Sequence, residues 1–495
     1  MSVVLIGVAL LLFFVPPAKR AAWARWVPLA AGAALLLQLL VEGRRWQMDP
    51  AYPVAAGLLI ATWLGPRTSW HHAITVVIAL LGTLGLAWTC LLAQGVPMFE
   101  LPEPTGPHAV GITRLYVADP EREETFTLDP DDHRELMVTV WYPAAAVPDG
   151  QEPAFYWEET DESGPLMARL MREGLGVGVL DNGFDHYGDI PTHSYRDAPL
   201  VTAPAKLPVI VYSHGYGVAS PSSNTALMEH LASHGYVVAS IAHTYETPAV
   251  VFEDGRVVGW NEEAIQDLFS SQNEAFFEKY VATEDPAARD AQVRDYLAAE
   301  TRTTSSLAVW LADTRTVVDE IFRIAAGEGG ERDTPFAGRL DLDRLGVAGM
   351  SFGGATAGAF CVADRRCKAG LNLDGFHYGE GMADAVVPVP FFIFAARRAE
   401  IPINDFFYRH ASGPMYLAKV DGATHMDFTD TTIASNLLRW MGAMGPIDGE
   451  RMLEIMNVWV EAFFDRYLLG EPSPLLEGDS ADWPDVELTS RNTDA

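Results

Sequence analysis

The sequence predicts an α/β fold with a mostly parallel central sheet, preceded by an N-terminal bundle of about four transmembrane helices. Within residues 1–96, four apolar runs are nearly free of charge, at residues 3–15, 27–41, 52–65 and 73–93. After residue 97, short apolar stretches alternate with helical patterns. Alternation of this kind is typical of a parallel sheet covered by helices on both faces.

The first 96 residues are expected to cross a membrane. A spanning helix needs ~20 mostly apolar residues, which the fourth run has by itself and the others reach only with their flanks. Lys19, Arg20 and Arg25 lie between the first two runs, so that loop is expected in the cytoplasm. Four spans then give an integral, multi-pass protein whose soluble domain is on the periplasmic or extracellular side. Three spans, with one run in the interface, would reverse that side.

The soluble domain is predicted over residues 97–470. Seven apolar stretches suit buried strands, at residues 136–143, 207–213, 236–242, 345–350, 368–374, 390–396 and 415–420. Two long, polar and acidic insertions, near residues 150–200 and 250–300, suggest a cover over a site. Residues 471–495 are predicted to be a disordered acidic tail.

Charge and cysteine content exclude some classes of function. The formal net charge is −32, and residues 101–495 hold 28 basic and 63 acidic residues. A surface this acidic argues against nucleic acid as a partner. Three cysteines are too few for a disulfide scaffold. Cys361 and Cys367 either pair in an oxidising compartment or remain free thiols.

Residues 345–354, "LGVAGMSFGG", contain the pattern G-x-S-x-G around Ser351. An apolar strand-like run precedes the serine and a small, helix-compatible run follows it. A strand, a sharp turn and a helix is the context in which such a serine is exposed as a nucleophile. The pattern alone also fits a glycine-rich turn with no catalytic role.

Two further residues stand at predicted strand ends, in the order Ser, Asp, His. Asp374 closes one strand, and His425 follows another. A serine hydroxyl needs a base to take its proton and a carboxylate to orient that base. Alternatively, Asp374 is a strand-end turn residue, and His425 pairs locally with Asp427.

An oxyanion hole requires two backbone N–H groups that face the developing negative charge. Phe352, directly after the serine, supplies one of them in this arrangement. The glycine-containing loop "VYSHGYG" at residues 211–217 is expected to supply the other, from Tyr216.

Six stretches together resemble the platelet-activating factor acetylhydrolase family: "PEPTGPHAVG" with "VTVWYP", "LPVIVYSHGYG", "VVASIAHTYET", "GMSFGGAT", "AGLNLDG" and "DGATHMDFTD". The resemblance covers roughly residues 102–470 and implies an α/β-hydrolase fold. It implies Ser351 as nucleophile, Asp374 as acid, His425 as base, and Tyr216 with Phe352 as oxyanion donors. It implies no metal and no other cofactor. Met350 stands where the family often has histidine.

The resulting prediction is a serine ester hydrolase that acts on short-chain or oxidised acyl esters, phospholipid-derived ones included. The expected partners are a small-molecule or lipid ester and the membrane, and the residues select no oligomeric state. Two alternatives remain. One is a peptidase on the same fold, and the other is a catalytically inactive membrane receptor or scaffold.

Overall fold

The computed structural model describes residues 2–13, 22–41, 43–64, 71–147, 150–157, 185–217, 219–261, 272–299, 301–328, 334–379, 382, 384–397, 402–478 and 480–493. They form two compact units. The smaller contains the residues up to Met98 and the short segment Ala434–Leu438, and the larger contains nearly all the rest. Parts of both predicted insertions, residues 158–184 and 262–271, lie outside the described residues.

The smaller unit is built from four apolar helices: α1 (Ser2–Phe13), α2 (Val27–Val41), α3 (Ala51–Leu64) and α4 (His71–Gly95). Side chains such as Ile6, Leu35 and Leu58 form its core. Small residues allow the helices to approach closely. A Cβ added to Gly82 would lie 2.7 Å from the Leu10 side chain.

The expectation of about four transmembrane helices is wrong. Among the described residues, no helix has both the length and the apolar composition needed to cross a membrane. Helices α1, α2 and α3 have 12, 15 and 14 residues. At about 1.5 Å per residue, each is shorter than the ~30 Å apolar layer. In α4, side chains are described only for residues 80–95, and this stretch is also shorter than the apolar layer. The predicted integral, multi-pass localisation rested on that bundle and is corrected with it.

The larger unit contains a ten-stranded mixed sheet, in the order β12-β11-β10-β9-β8-β4-β5-β2-β1-β3. A separate two-stranded sheet pairs β6 with β7. The strands are β1 (Ala109–Glu123), β2 (His133–Ala144), β3 (Ser194–Arg196), β4 (Leu207–Ser213), β5 (Val237–Ala242), β6 (Ala249–Val251), β7 (Val257–Gly259), β8 (Leu340–Met350), β9 (Ala369–Leu373), β10 (Phe391–Ala396), β11 (Met415–Val420) and β12 (Val486–Arg491).

Helices connect and cover the strands of this unit. They are α5 (Thr225–Ser233), α6 (Gln272–Val281), α7 (Pro286–Ala299), α8 (Thr301–Ala326), α9 (Phe352–Ala363), α10 (Pro402–His410), α11 (Thr431–Ala434) and α13 (Gly449–Phe464). Helix α12 (Asn436–Trp440) begins within the segment Ala434–Leu438, which belongs to the smaller unit.

The centre of the sheet is parallel, as the apolar stretches predicted. Strands β5, β4, β8, β9, β10 and β11 pair in parallel, whereas β2 and β12 join this core in antiparallel orientation. Strand β10 shows why its sequence is continuously apolar. Phe391 belongs to the core cluster that includes Phe360 of α9, and Phe392 contacts Phe463 of α13 on the other face. A strand buried on both faces favours apolar side chains at nearly every position.

The chain end differs from the prediction. Residues 471–495 were expected to be a disordered tail, yet Val486–Arg491 forms β12 and pairs with β11 from Val420↔Val486 to Met415↔Arg491. Val486 and Leu488 are buried. The acidic composition of this segment concealed a short edge strand whose two buried side chains, Val486 and Leu488, are two residues apart.

Candidate active site

Ser351 lies at the sharp turn between β8 and α9. Its φ of 55° and ψ of −117° are an unusual combination for a residue other than glycine. The Ser351 N–H donates to the Leu373 carbonyl at 2.7 Å, and the Ser351 carbonyl accepts from the N–H of Ala355 at 3.2 Å. Backbone held in such a sparsely populated region is characteristic of functional sites.

The glycines of G-x-S-x-G are required by close approach of the backbone. A Cβ on Gly349 would lie 2.2 Å from the carbonyl carbon of Gly353. A Cβ on Gly353 would lie 1.9 Å from the carbonyl oxygen of Ser213, at the end of the neighbouring strand β4. No side chain fits at either position, so the sequence pattern follows from the geometry of the turn.

Asp374 and His425 reach the same edge of the sheet from β9 and from the loop after β11. The Nε2 atom of His425 is 2.9 Å from the Oγ atom of Ser351, and its Nδ1 atom is 2.7 Å from Oδ2 of Asp374. The other carboxylate oxygen of Asp374 accepts from the N–H of Ala396 at 2.9 Å. This order suits a tautomer in which Nδ1–H donates to the carboxylate and Nε2 accepts from the serine.

Burial differs along this chain of hydrogen bonds. The side chain of Asp374 is 2% exposed, whereas that of His425 is 42% exposed. The carboxylate is therefore fixed in the interior while the imidazole remains accessible. A Cβ on Gly375 would lie 1.9 Å from the Ser351 carbonyl oxygen, so the residue after Asp374 must be small for the two turns to meet.

Asp427 holds its own loop together. Its Oδ2 atom accepts from the N–H groups of Thr424 and Gly445 at 2.8 and 2.7 Å. Its Oδ1 atom accepts from the Thr432 hydroxyl at 2.9 Å. The hydrogen bond from His425 goes to Asp374, so the local pairing of His425 with Asp427 is wrong.

The loop after β4 lies against the serine, as predicted. A Cβ on Gly215 would be 3.5 Å from the Cβ atom of Ser351. The rings of Tyr216 and Phe352 are in edge contact, with centroids 5.1 Å apart. The Tyr216 hydroxyl donates to Oε1 of Glu246 at 2.9 Å, which ties the loop to the segment after β5. Tyr216 and Phe352, predicted as oxyanion donors, thus contact each other beside Ser351.

Comparison with known proteins gives a family for the chain. The family model described as platelet-activating factor acetylhydrolase, isoform II, matches residues 94–472. The chain belongs to this family. The resemblance based on the six sequence stretches is therefore confirmed.

Individual members of the acetylhydrolase family and a solved esterase are also similar to the chain. The platelet-activating factor acetylhydrolase of Cavia porcellus is 25% identical over 77% of this chain and 81% of its own length. A probable 1-alkyl-2-acetylglycerophosphocholine esterase of Arthroderma benhamiae is 24% identical over 80% and 95%. The structure of a ferulic acid esterase from Streptomyces cinnamoneus matches with a TM-score of 0.60 and 28% identity, over 79% of this chain and 99% of that one.

This acetylhydrolase-family chain contains a second Ser–His–Asp arrangement that the sequence analysis missed. His243 Nε2 is 3.1 Å from Oγ of Ser213, and His243 Nδ1 is 2.8 Å from Oδ2 of Asp313. All three side chains are buried. The only sequence signal was His243 in the stretch "VVASIAHTYET", directly after β5. The partner Asp313 comes from the middle of α8, which sequence spacing does not reveal.

A buried charge network surrounds this second arrangement. Arg134 donates to Asp313 at 2.8 Å and to Glu124 at 3.0 Å. Burial opposes ionisation of Asp313, but the charge of Arg134 outweighs it and lowers the pKa of that carboxyl below its usual range. Burial lowers the pKa of His243 to about 4, so its imidazole is neutral near pH 7.

The network supports the loop that faces Ser351. The His243 ring stacks on Trp310, with centroids 3.7 Å apart, and the Trp310 indole donates to Glu246 at 2.8 Å. Glu246 is the same carboxylate that accepts from Tyr216. His214 is also fully buried against Trp310. The second arrangement is therefore suited to positioning the loop.

Proposed function

We propose that this chain is a serine hydrolase of carboxylic esters that forms an acyl-enzyme on Ser351, with His425 as base and Asp374 as the residue that orients it. The observation that carries the proposal is the continuous hydrogen-bonded chain from the serine through the imidazole to the buried carboxylate, at a strained turn on the sheet edge. Membership of the acetylhydrolase family supports ester hydrolysis rather than the peptidase or inactive-receptor alternatives.

In the first half-reaction, Oγ of Ser351 attacks the carbonyl carbon of the ester. His425 takes the hydroxyl proton on Nε2, and Asp374 stabilises the imidazolium through its bond to Nδ1. The imidazolium then gives that proton to the departing alcohol oxygen. The products are a free alcohol and an acyl group bound to Ser351.

In the second half-reaction, water replaces the alcohol. His425 takes a proton from water, the resulting hydroxide attacks the acyl carbon, and the carboxylic acid leaves when Ser351 regains its proton. His425 is accessible enough for water to reach it, because its side chain is 42% exposed. No cofactor is needed for either half-reaction.

The oxyanion formed in each half-reaction is proposed to accept hydrogen bonds from the backbone N–H groups of Phe352 and Tyr216. The first follows the nucleophile at the start of α9, where the helix dipole also favours negative charge. The second lies on the loop anchored by Glu246. Donors of this kind contribute roughly 10²–10³-fold each to turnover.

The proposed substrates are esters with short acyl groups, acetyl esters of glycerophospholipids first among them. The names of two relatives refer to acetyl esters of this class. The solved relative is named for an aromatic ester, so small aryl esters belong in the same test. Turnover of p-nitrophenyl esters from acetyl to dodecanoyl is expected to fall as the acyl chain lengthens.

Kinetics of four variants test the residue roles. Ser351→Ala and His425→Ala are each expected to remove nearly all turnover of p-nitrophenyl acetate, since nucleophile and base act as a unit. Asp374→Asn is expected to reduce kcat by about 10⁴-fold, because the wrong imidazole tautomer is then favoured. Asp427→Asn is the matched control and should keep most activity per folded molecule. Loss of turnover in that control, with activity retained in Asp374→Asn, would reject the assignment.

A further inference from the structure

Away from Ser351, two histidines and a glutamate converge between helices α5 and α13. His230 and His234 are four residues apart, so they lie on one face of α5 and its C-terminal end. Their Nε2 and Nδ1 atoms are each 2.7 Å from an oxygen of Glu461, which α13 supplies. One ligand atom from each of the three lies within 4.8 Å of the others. The sequence analysis suggested no metal here.

The hydroxyl group of Thr105 lies beside the ring nitrogen of each imidazole that does not face Glu461. Oγ1 of Thr105 is 3.4 Å from Nδ1 of His230 and 3.1 Å from Nε2 of His234. A threonine hydroxyl can accept two hydrogen bonds but donate only one. Histidine ligands of metals characteristically donate their outer N–H to such a partner, which fixes the ring and its tautomer. Thr105 is placed to do this for both rings.

The hydrogen-bond pattern favours a cation in the centre. If both neutral imidazoles donate to Thr105, their inner lone pairs face the carboxylate oxygens of Glu461. Acceptors then face acceptors unless a cation lies between them. If both donate to Glu461 instead, two outer lone pairs share the single hydroxyl proton of Thr105. With both rings neutral, only the first arrangement, with a cation, gives all four ring nitrogens a partner. A proton on one imidazole is the alternative to the metal ion, and metal titration distinguishes the two.

The surroundings are also negative. Asp465 and Glu471 are close enough to interact electrostatically with Tyr236, as Glu461 does. His230 is buried, whereas the side chains of His234 and Glu461 are 22% and 20% exposed. An ion can therefore reach the cluster from solvent while most of its ligand shell is protein.

We propose that Nε2 of His230, Nδ1 of His234 and a carboxylate oxygen of Glu461 bind a divalent first-row metal ion, Zn²⁺ in preference to Mg²⁺ or Ca²⁺. Two imidazoles and one carboxylate are a donor set typical of zinc, with a fourth position left for water. Tetrahedral ligands at ~2.0–2.1 Å from the ion lie roughly 3.3–3.4 Å from one another, so the 2.7 Å contacts to Glu461 would lengthen by about 0.6–0.7 Å.

The role of the ion would be structural. The segment that carries Thr105 is already held to α5, because Gly106 N–H donates to Oγ of Ser233 at 3.0 Å and His108 N–H donates to the Ser233 carbonyl at 3.2 Å. A Cβ on Gly106 would lie 2.3 Å from Ser233 backbone atoms. The ion would join α5, α13 and this segment, which leads into β1.

Titration of the tag-free, chelator-treated full-length chain with Co²⁺ and Zn²⁺ tests the proposal. Cobalt is expected to bind with a stoichiometry of one and give the visible absorption bands of a tetrahedral site, which Zn²⁺ abolishes by competition. Zinc should raise the thermal unfolding midpoint, because a ligand that binds only the folded state stabilises it. Mg²⁺ at the same concentration should do neither.

Variants assign the ligands. His234→Ala and Glu461→Gln should abolish the cobalt bands, and Thr105→Val should weaken binding by about 10–100-fold. The exposed His133 on β2 lies outside the cluster, so His133→Ala should bind as the parent does. Far-ultraviolet circular dichroism establishes that each variant is folded. Absence of stoichiometric binding by the parent, or binding unchanged in a folded Glu461→Gln variant, would overturn the proposal.

Discussion

Ser351 and Ser213 have closely similar partners, and exposure is the main difference between them. Each hydroxyl faces a histidine Nε2, at 2.9 and 3.1 Å, and each histidine faces an aspartate through Nδ1, at 2.7 and 2.8 Å. The imidazole of His425 is 42% exposed, whereas that of His243 is fully buried. Geometry alone therefore does not identify a nucleophile, and access for substrate has to be included.

Tyr216→Phe tests the tether of the loop at residue scale. The variant removes the hydroxyl that donates to Glu246, so the loop is expected to lose alignment with Ser351. Removing an oxyanion donor costs about 10²–10³-fold, so displacing one is expected to lower kcat by roughly tenfold with KM little changed. Steady-state kinetics on p-nitrophenyl acetate measure this.

Tyr142→Phe is the control for the lost hydrogen bond. Its buried hydroxyl donates to the Ala198 carbonyl at 2.8 Å and not to Glu246. Both variants should lose about 1 kcal/mol of unfolding free energy. Equal kcat in the two variants would show that the Tyr216 tether has no role in turnover.

The residues of the proposed triad have signals that are local in the sequence. The G-x-S-x-G pattern follows from steric contact at Gly349 and Gly353, and Asp374 directly follows an apolar strand. Trp310 and Asp313 gave no such signal. Both residues lie in α8 and are buried. The sequence does not show which positions of this helix will be buried beside β5.

At the scale of elements, turns between strands and helices set the positions of the site. Gly353→Ala should disrupt the turn after Ser351, because the added methyl group meets the Ser213 carbonyl oxygen at 1.9 Å. The expected result is a loss of at least about 3 kcal/mol in unfolding free energy and a large loss of kcat. Denaturant unfolding and kinetics measure the two effects.

Gly188→Ala provides a comparison in the same unit. The atom nearest to its added Cβ is a carbonyl oxygen at 3.8 Å, an ordinary contact. Its stability should change by less than about 1 kcal/mol. If Gly353→Ala is equally mild, the close approach described for the turn does not exist in solution.

A disulfide joins the end of α9 to the segment directly before β9. Cys361 and Cys367 are bonded, which decides between the two alternatives the sequence left open. The loop they close is short, so the bond should contribute about 2 kcal/mol by restricting the unfolded chain. The double variant Cys361→Ala/Cys367→Ala should lose that amount in denaturant unfolding. Alkylation of both thiols in the unreduced parent would contradict the bond.

Central strands were predictable at this scale, and edge strands were not. Strands β4, β9 and β10 are buried along their whole length and, apart from residues such as Ser213 and Asn372, apolar. β1 and β12 lie at or near the edges, and their sequences mix charged and apolar residues. Without the neighbouring strand, that composition is indistinguishable from a loop or a tail.

For the whole molecule, apolar composition was a poor guide to helix length. Runs that reach a membrane-spanning length with their flanks fold as α1, α2 and α3, which end after 12 to 15 residues. Buried residues such as Ile6, Leu35 and Leu58 show that part of this apolar content packs the unit's own core. The residue pattern does not distinguish that use from contact with lipid.

Stability should depend on pH through buried ionisable groups of both kinds. Burial lowers the pKa of His214, His243 and His377 to about 3, 4 and 3, so the folded state keeps them neutral. The unfolded chain binds protons below its histidine pKa of ~6.5. Unfolding free energy should therefore fall as pH decreases from about 6.5 to 4, by up to ~1.4 kcal/mol per pH unit for each histidine.

Burial acts in the opposite sense on two acids. It raises the pKa of Glu229 and of Asp430, so the folded state holds protons that the unfolded chain releases. Their stabilising contribution is present below the unfolded pKa of ~4 and is lost as pH rises through the folded value. The three buried histidines and these two acids together place maximum stability in the mildly acidic to neutral range.

His377→Gln isolates one of these contributions. Nε2 of His377 accepts from Asn372 at 3.0 Å, and a glutamine oxygen can replace that acceptor without binding a proton. The slope of unfolding free energy between pH 4 and 6.5 should decrease, whereas His133→Gln on the surface should leave it unchanged. Urea unfolding at several pH values gives the slope. Parallel pH profiles for His377→Gln and the parent would refute the burial argument.

The most direct test of ester hydrolysis through Ser351 is to locate the covalent adduct formed with a fluorophosphonate ester. The two Ser–His–Asp arrangements make the outcome specific, because each offers a serine beside an imidazole. Peptide mass spectrometry should place one phosphonyl group on Ser351, with loss of p-nitrophenyl acetate turnover in proportion to labelling. Labelling should disappear in Ser351→Ala and persist in Ser213→Ala. An adduct on Ser213, or full turnover by a chain labelled stoichiometrically at Ser351, would contradict the account.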